Sequence, residues 1–147
     1  MRHLTISLMM LLLSACGGSA TDPEAALREW VARGEAAAEG KDRRGLLELI
    51  SADYADSRGN DRDKIGDILR AYFFRQQSIA LLTGIDEITF YDDTAAQVTL
   101  RVGMAGTNGG ALGFSADAYQ FELELQKPDD EWLLIGARWG ELGGELR

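Results

Sequence analysis

The chain has 147 residues, and its 24 acidic residues against 15 lysines and arginines give a formal net charge of −9. This acidic balance argues against binding to nucleic acid, whose phosphates need basic neutralisation, and against direct binding to anionic lipid headgroups. The only histidine is His3 and the only cysteine is Cys16. Because no histidine or cysteine follows Cys16, we exclude histidine-dependent triads, Cys–His pairs and His-rich metal sites from the rest of the chain, and expect no metal and no cofactor.

The first 15 residues have the pattern of a secretory signal. A positively charged start, Met1-Arg2-His3, precedes an apolar run from Leu4 to Leu13. This run is shorter than the roughly 20 residues that a membrane-spanning helix needs. The next residues, Leu13-Ser14-Ala15-Cys16, resemble the processing site of bacterial lipoproteins, in which small residues precede the cut and the cysteine carries a diacylglycerol. The resemblance implies a signal peptide at 1–15 and a lipid anchor on Cys16, through which the protein is held at the membrane.

An ordinary cleaved signal with an incidental thiol at Cys16 is the alternative. In the lipoprotein interpretation, residues 16–21 are the lipidated cysteine and a flexible tether of glycine, serine, alanine and threonine. At about 3.5 Å per residue the tether reaches less than about 20 Å, so the folded domain is expected close to the lipid surface. In Gram-negative lipoproteins, an aspartate directly after the lipidated cysteine is typical of retention in the inner membrane. This chain has Gly17 at that position. The resemblance therefore favours an outer-membrane protein that faces the periplasm.

The rest of the chain begins with three predicted helices. Asp22 is the N-cap of the first helix, and Gly40 ends it. Asp42 caps a short second helix, and a third runs from about Asp61 towards Ala80. Helical spacing gives the first helix an apolar face of Leu27, Trp30 and Val31. The third helix is predicted to turn inward Ile65, Ile68, Leu69, Tyr72, Phe73 and Gln76.

After Gly84 the hydrophobic period changes from about 3.6 to 2, which is typical of strands. A strand around Ile88 and Phe90 is followed by a turn at Asp92-Asp93. Three further strands are predicted, over 96–104, 119–126 and 132–139. The order predicts an α+β fold, in which three N-terminal helices pack on a curved four-stranded antiparallel sheet.

Element order and a few aromatic positions resemble the nuclear transport factor 2-like superfamily, also called cystatin-like or ketosteroid isomerase-like. The resemblance rests on Tyr72-Phe73-Phe74 with the Leu-Leu-Thr-Gly that follows, and on the closing strand Glu131-Trp132-Leu133-Leu134-Ile135. It covers Asp22 to Glu141 and implies a domain over 22–147, in which a curved sheet surrounds a conical cavity. Because the superfamily includes enzymes and non-catalytic members, the fold does not settle the function.

Five side chains are candidates for lining this cavity: Tyr54, Tyr72, Gln76, Tyr119 and Trp139. For the tyrosines we favour the alternative of core packing, with the hydroxyl hydrogen-bonded at the rim. Enzymes that resemble ketosteroid isomerase use an aspartate base on the sheet with tyrosine and a protonated aspartate as donors. No motif transfers these roles to this chain, and Asp117 is expected to be solvated at a strand end.

The register of the last hairpin has two predicted solutions. A four-residue loop at 127–130 pairs Tyr119 with Arg138 and turns both into the cavity. A three-residue loop pairs Tyr119 with Trp139 inside and leaves Arg138 outside. We prefer the second, because an unpaired buried guanidinium is destabilising. It places Trp132 and Leu134 on the outer sheet face, where they would form a homodimer surface.

These observations predict a non-enzymatic, membrane-anchored envelope lipoprotein that binds a small apolar ligand or a protein partner. The anchor and the lack of a recognisable catalytic constellation carry this prediction. An isomerase- or dehydratase-like enzyme with an Asp/Tyr cavity site is one alternative, and a dimeric scaffold subunit is another.

Overall fold

The structure, a computed structural model, describes residues 22–107 and 113–147. The predicted signal peptide at 1–15, the predicted lipid attachment at Cys16 and the rest of the tether to residue 21 lie outside the described residues. Within the described part, no helix is both long enough and apolar enough to cross a membrane.

Three helices open the domain, α1 (Pro23–Glu39), α2 (Arg43–Glu48) and α3 (Arg62–Arg75). Each begins at a predicted aspartate cap. The cap carboxylates accept first-turn N–H groups: Asp22 from Glu24 at 3.1 Å, Asp42 from Gly45 at 2.9 Å and Asp61 from Lys64 at 2.8 Å. The short polar side chain therefore satisfies a donor that has no partner within its own helix.

The third helix ends earlier than predicted. Gln76 already has an extended backbone, and strand β1 (Ser78–Asp92) begins two residues later. The prediction that the helix continues towards Ala80 is wrong, because residues from Ser78 alternate between the two sheet faces. Ile79 is buried while its neighbour Ala80 is exposed, which is the period of a strand.

The sheet contains β1, β2 (Ala95–Thr107), β3 (Phe114–Gln126) and β4 (Leu133–Glu141) in that order, and every neighbouring pair is antiparallel. The predicted turn at Asp92-Asp93 joins the first two strands. The predicted α+β arrangement is confirmed, with the helices preceding an open four-stranded meander.

The register of β3 with β4 differs from both predicted solutions. Tyr119 pairs with Glu141, and Gly136 pairs with Glu124, but the next pair is Leu134 with Leu125. Ile135 is therefore an extra residue in β4, a bulge that reverses which side chains face inward.

The bulge explains one confirmed and one wrong prediction. Beyond it, Arg138 lies on the outer face and pairs with Glu122, as expected. Before it, Trp132 and Leu134 were predicted on the outer face, but they are core residues with 5% and 9% exposure. The residues on which the homodimer surface was predicted are therefore buried. The outer face of β2 and β3 instead carries Gln97, Thr99, Arg101, Gln120, Glu122 and Glu124.

The core lies where α1 crosses the inner sheet face. Leu27 of α1, Val98 of β2 and Leu125 of β3 are almost completely buried. The free side of β4 is covered by the segment after α2, whose backbone bonds to Leu134 and Ile135. This contact closes one sheet edge and holds α2 beside the sheet.

Candidate functional site

A cavity of about 320 Å³ lies between α1 and the inner face of the sheet. Its volume corresponds to that of roughly ten water molecules in the liquid. One wall is α1, which contributes Trp30, Val31, Gly34, Glu35 and Ala38; Leu46, Ile50, Ile65 and Leu69 close the sides. The opposite wall is the sheet, which contributes Leu81, Thr83, Leu100, Val102, Met104, Phe121, Leu123 and Leu134.

Simple periodicities build both walls. On α1, positions 31, 35 and 38 are separated by four and three residues and so lie on one helix face. On the strands, alternate residues such as Leu100, Val102 and Met104 point to the same side. Gly34 lies between these helical positions, and its missing side chain leaves space beside Leu49.

The lining is almost entirely apolar. Among its described residues only Glu35 carries a charge, and only Thr83 carries a hydroxyl. Glu35 is half-buried on α1, and Thr83 is half-buried on β1. An apolar pocket with a few polar groups is the usual composition of a small-molecule site.

Trp30 also lines the cavity, but its indole nitrogen is buried and is not part of the cavity surface. Its side chain is 6% exposed, and its Nε1–H has no hydrogen-bond partner among the described residues. Because indole nitrogen is only a donor, it needs an acceptor to replace water. A buried donor left in this state costs about 1–3 kcal/mol.

The five predicted lining residues do not appear among the described residues that line this cavity. Trp139 is held between two partners, since its ring stacks on Phe121 at 6.4 Å and the Arg58 guanidinium lies 4.3 Å from its ring centre. Tyr54 is packed in the core, and its hydroxyl donates to Asp56 at 3.3 Å. Burial first, and then the Asp56 carboxylate, raise the pKa of Tyr54.

Tyr72, Tyr119 and Asp117 influence one another near the end of the sheet that carries Met104. Tyr72, on α3, is half-buried, and its pKa is raised first by burial and then by the nearby charges of Asp117 and Tyr119. Asp117 pairs with Met104, a lining residue, so both side chains are on the inner sheet face. Asp117 is exposed, as expected for a strand end.

Gln76 lies at the same end, just after α3. Its backbone carbonyl accepts a hydrogen bond from Lys41 Nζ at 2.9 Å. Its amide packs directly against Gly106 of β2, beside Ser115, and its Oε1 is buried without a partner among the described residues. Gln76 therefore joins α3 to the sheet.

Glu35, the charged group that α1 presents at the cavity, belongs to no motif that predicts a site. For Trp30, helical spacing predicts core packing, and the residue is part of the core. The sequence contains one feature that predicts the position of Glu35. It follows Val31 by four residues, and this spacing puts it on the apolar face of α1. A charged residue on such a face is unusual, and it indicates either a site or an edge of the buried surface.

No model of a known protein family matches the chain, and no curated protein matches it. Solved structures do. One is a candidate scytalone dehydratase from Novosphingobium aromaticivorans, at 15% identity and a TM-score of 0.74, covering 80% of this chain and 83% of that one.

Two further similar structures point to the same architecture. A ketosteroid isomerase-like protein from Erwinia carotovora is 14% identical over 83% of this chain and 98% of that one, with a TM-score of 0.68. A nuclear transport factor 2-like protein of unknown function from Shewanella oneidensis is 17% identical over 79% of this chain and 97% of that one, with a TM-score of 0.64. At these identities the likeness concerns the fold alone. The chain has the nuclear transport factor 2-like fold.

Proposed function

We propose that the protein binds a small apolar molecule in the cavity between α1 and the sheet, while a lipid on Cys16 anchors it to the cell envelope. The observation that carries the proposal is the lining, which is apolar except for Glu35 and Thr83. Each 100 Å² of apolar ligand surface that is removed from water in such a site contributes about 2.5 kcal/mol to the free energy of binding. This burial can drive binding by itself, so the proposed function requires no catalytic group.

A neutral fluorescent probe tests the cavity. N-Phenyl-1-naphthylamine emits strongly only in apolar surroundings, and it carries no charge that Glu35 would repel. We expect the wild-type protein to bind it at one site. Val102→Phe places a ring in the cavity and should abolish that binding, because Val102 lines the sheet wall.

Thr99→Phe is the matched control. Thr99 lies on the same strand, but on the outer face opposite Glu122, so the same ring is added away from the cavity. We expect this variant to bind the probe like the wild type. Absence of binding by folded wild-type protein, or equal binding by Val102→Phe, would contradict the proposal.

The anchor is tested separately from the cavity. Cys16→Ser should abolish labelling by radioactive palmitate and release the protein from the membrane fraction. The released variant should still bind the naphthylamine probe, since the cavity lies within residues 22–147. Unchanged membrane retention of Cys16→Ser would remove the lipoprotein proposal and leave the binding proposal intact.

An enzyme with a carboxylate base is the second candidate. The observation in its favour is that Asp117 and Tyr119 share the inner face of β3, and that the charge of Asp117 contributes to the raised pKa of Tyr72. A carboxylate near a hydroxyl donor can remove a proton next to a carbonyl group. In this candidate function, Asp117 is the base and Tyr72 stabilises the developing oxyanion.

Deuterium uptake distinguishes the two functions. The enzyme candidate predicts that the wild-type protein speeds exchange of the protons next to the carbonyl of 1-tetralone in D₂O, and that Asp117→Asn abolishes the effect. Asp129→Asn, an exposed residue in the last hairpin turn, is the control. Exchange at the uncatalysed rate with wild-type protein would favour the binding function alone.

A further inference from the structure

The inner face of β3 changes from apolar to polar along the strand. Phe121 lines the cavity, and the next two side chains on the same face are those of Tyr119 and Asp117. Alternate residues of a strand lie about 7 Å apart, so the face passes from ring carbon to a hydroxyl and then to a carboxylate within about 14 Å. A molecule that extends along this face meets apolar surface at one end and a charge at the other.

Asp117 is the inward-facing residue next to the last part of the cavity wall. It pairs with Met104, which lines the cavity from β2, and paired side chains on one face have their Cβ atoms about 5 Å apart. Asp117 is also exposed, and no lysine or arginine within residues 22–107 and 113–147 forms an ion pair with it. Its carboxylate is therefore accessible to a cation that a ligand carries.

Two tyrosines accompany this carboxylate. Tyr119 lies beside the cavity residue Phe121, with the ring centres 6.3 Å apart. Tyr72 comes from α3, and its pKa is raised first by burial and then by the charges of Asp117 and Tyr119. Arg75, an exposed cation on α3, lowers the pKa of Tyr72 by a smaller amount, so the carboxylate dominates the field at this end. A carboxylate with aromatic rings is the combination that recognises an ammonium ion.

Charge decides between the possible head groups of a ligand. An anionic head would meet Asp117 at this end or Glu35 in the cavity lining, and the chain as a whole carries a charge of −9. Like charges in poorly hydrated surroundings repel each other. An ammonium group instead forms charge-assisted hydrogen bonds with a carboxylate, which a neutral head cannot match.

We infer that the cavity takes an apolar molecule with one ammonium group, whose body packs on Phe121 and whose ammonium group pairs with the Asp117 carboxylate beside Tyr72 and Tyr119. The inference rests on the proposed binding function and specifies its ligand class. In this binding mode Asp117 is a counter-ion for the ligand, whereas in the enzyme candidate it is a base.

A matched pair of probes tests the inference. 6-Phenylhexylamine and 6-phenylhexan-1-ol share one ring and one chain, and they differ in the head group. Calorimetric titration of the wild-type protein at pH 7 and low salt should give about fivefold tighter binding of the amine, as expected for an exposed ion pair. This preference should shrink in about 1 M sodium chloride, which screens exposed charges.

Asp117→Asn removes the charge and keeps the shape of the side chain. We expect this variant to bind the alcohol like the wild type and to lose the preference for the amine. Asp129→Asn is the control, since Asp129 is an exposed residue in the hairpin turn at the other end of β3. It should keep the preference.

The outcomes separate the inference from the binding function. Equal affinities of the wild-type protein for the two probes would overturn the inference and leave the binding function in place. An unchanged preference in Asp117→Asn, or its loss in Glu35→Gln instead, would also overturn the inference, because the ammonium group would then not pair with Asp117. Failure of the wild-type protein to bind these probes and N-phenyl-1-naphthylamine would overturn the binding function, and the inference with it.

Discussion

Replacing Gly34 with alanine should stabilise the protein. Gly34 lies inside α1, where a residue without a side chain is unfavourable because it has more backbone freedom to lose on folding. A methyl group at this position would lie 3.6 Å from Leu49 Cδ1, which is ordinary van der Waals contact. The change therefore gains helix propensity without a steric penalty.

The expected gain follows from the helix scale. Glycine is about 1 kcal/mol less favourable than alanine in a helix interior. In a domain of this size, that difference raises the melting temperature by roughly 3–5 °C. The added methyl also takes space from the cavity wall, so we expect weaker binding of N-phenyl-1-naphthylamine.

Thermal unfolding followed by circular dichroism measures the effect. Gly140→Ala is the control, since a methyl group there would overlap the backbone carbonyl of Glu145. We expect that variant to be destabilised. A melting temperature for Gly34→Ala at or below that of the wild type would contradict this prediction, because it would mean that α1 and Leu49 leave no room for a methyl group at this position.

Three further predictions follow from single groups. Burial raises the pKa of Tyr54 above its unfolded value of 10, so the free energy of unfolding should fall above pH 10 by up to about 1.4 kcal/mol per pH unit. Urea titrations at several pH values measure this slope. Tyr54→Phe should reduce it, and Tyr91→Phe, which changes an exposed tyrosine, should not. Equal slopes for Tyr54→Phe and the wild type would contradict the prediction. Glu35→Gln removes a negative charge from the cavity, so the binding of the anion 1-naphthoate, measured by calorimetry, should become several-fold tighter. The affinity for the neutral N-phenyl-1-naphthylamine should stay the same. Unaltered naphthoate binding would show that the charge of Glu35 does not select ligands. Arg138→Ala removes the exposed ion pair with Glu122 and should lower the free energy of unfolding, measured in urea, by less than about 1 kcal/mol. A larger loss would contradict the small contribution expected of a surface ion pair.

Local chemistry made most of the fold predictable. The aspartate caps at the three helix starts act within one turn of chain, so their effect is visible in the sequence. The alternation of β3 from Tyr119 to Gln126 likewise predicted its two faces. The end of α3 was placed too late, because the change to period 2 begins before Gly84 and is hidden among apolar residues.

The remaining features depend on contacts between distant segments. The bulge at Ile135 cannot be found from β4 alone, because Trp132 and Leu134 turn inward only when they meet the core beside Leu125. For the same reason the apolar face of α1 did not reveal that Trp30 borders a cavity. Whether an apolar side chain contacts the core or an open space depends on how the sheet curves.

Native mass spectrometry of the acylated protein, gently extracted from its own membranes, shows whether the cavity is occupied. We expect a species heavier than the lipidated chain by one small molecule, which is released on collisional activation. The same preparation of Val102→Phe should lack that additional mass. Bare lipidated protein in the wild-type preparation, identical to the variant, would contradict the claim that this hollow carries an apolar ligand.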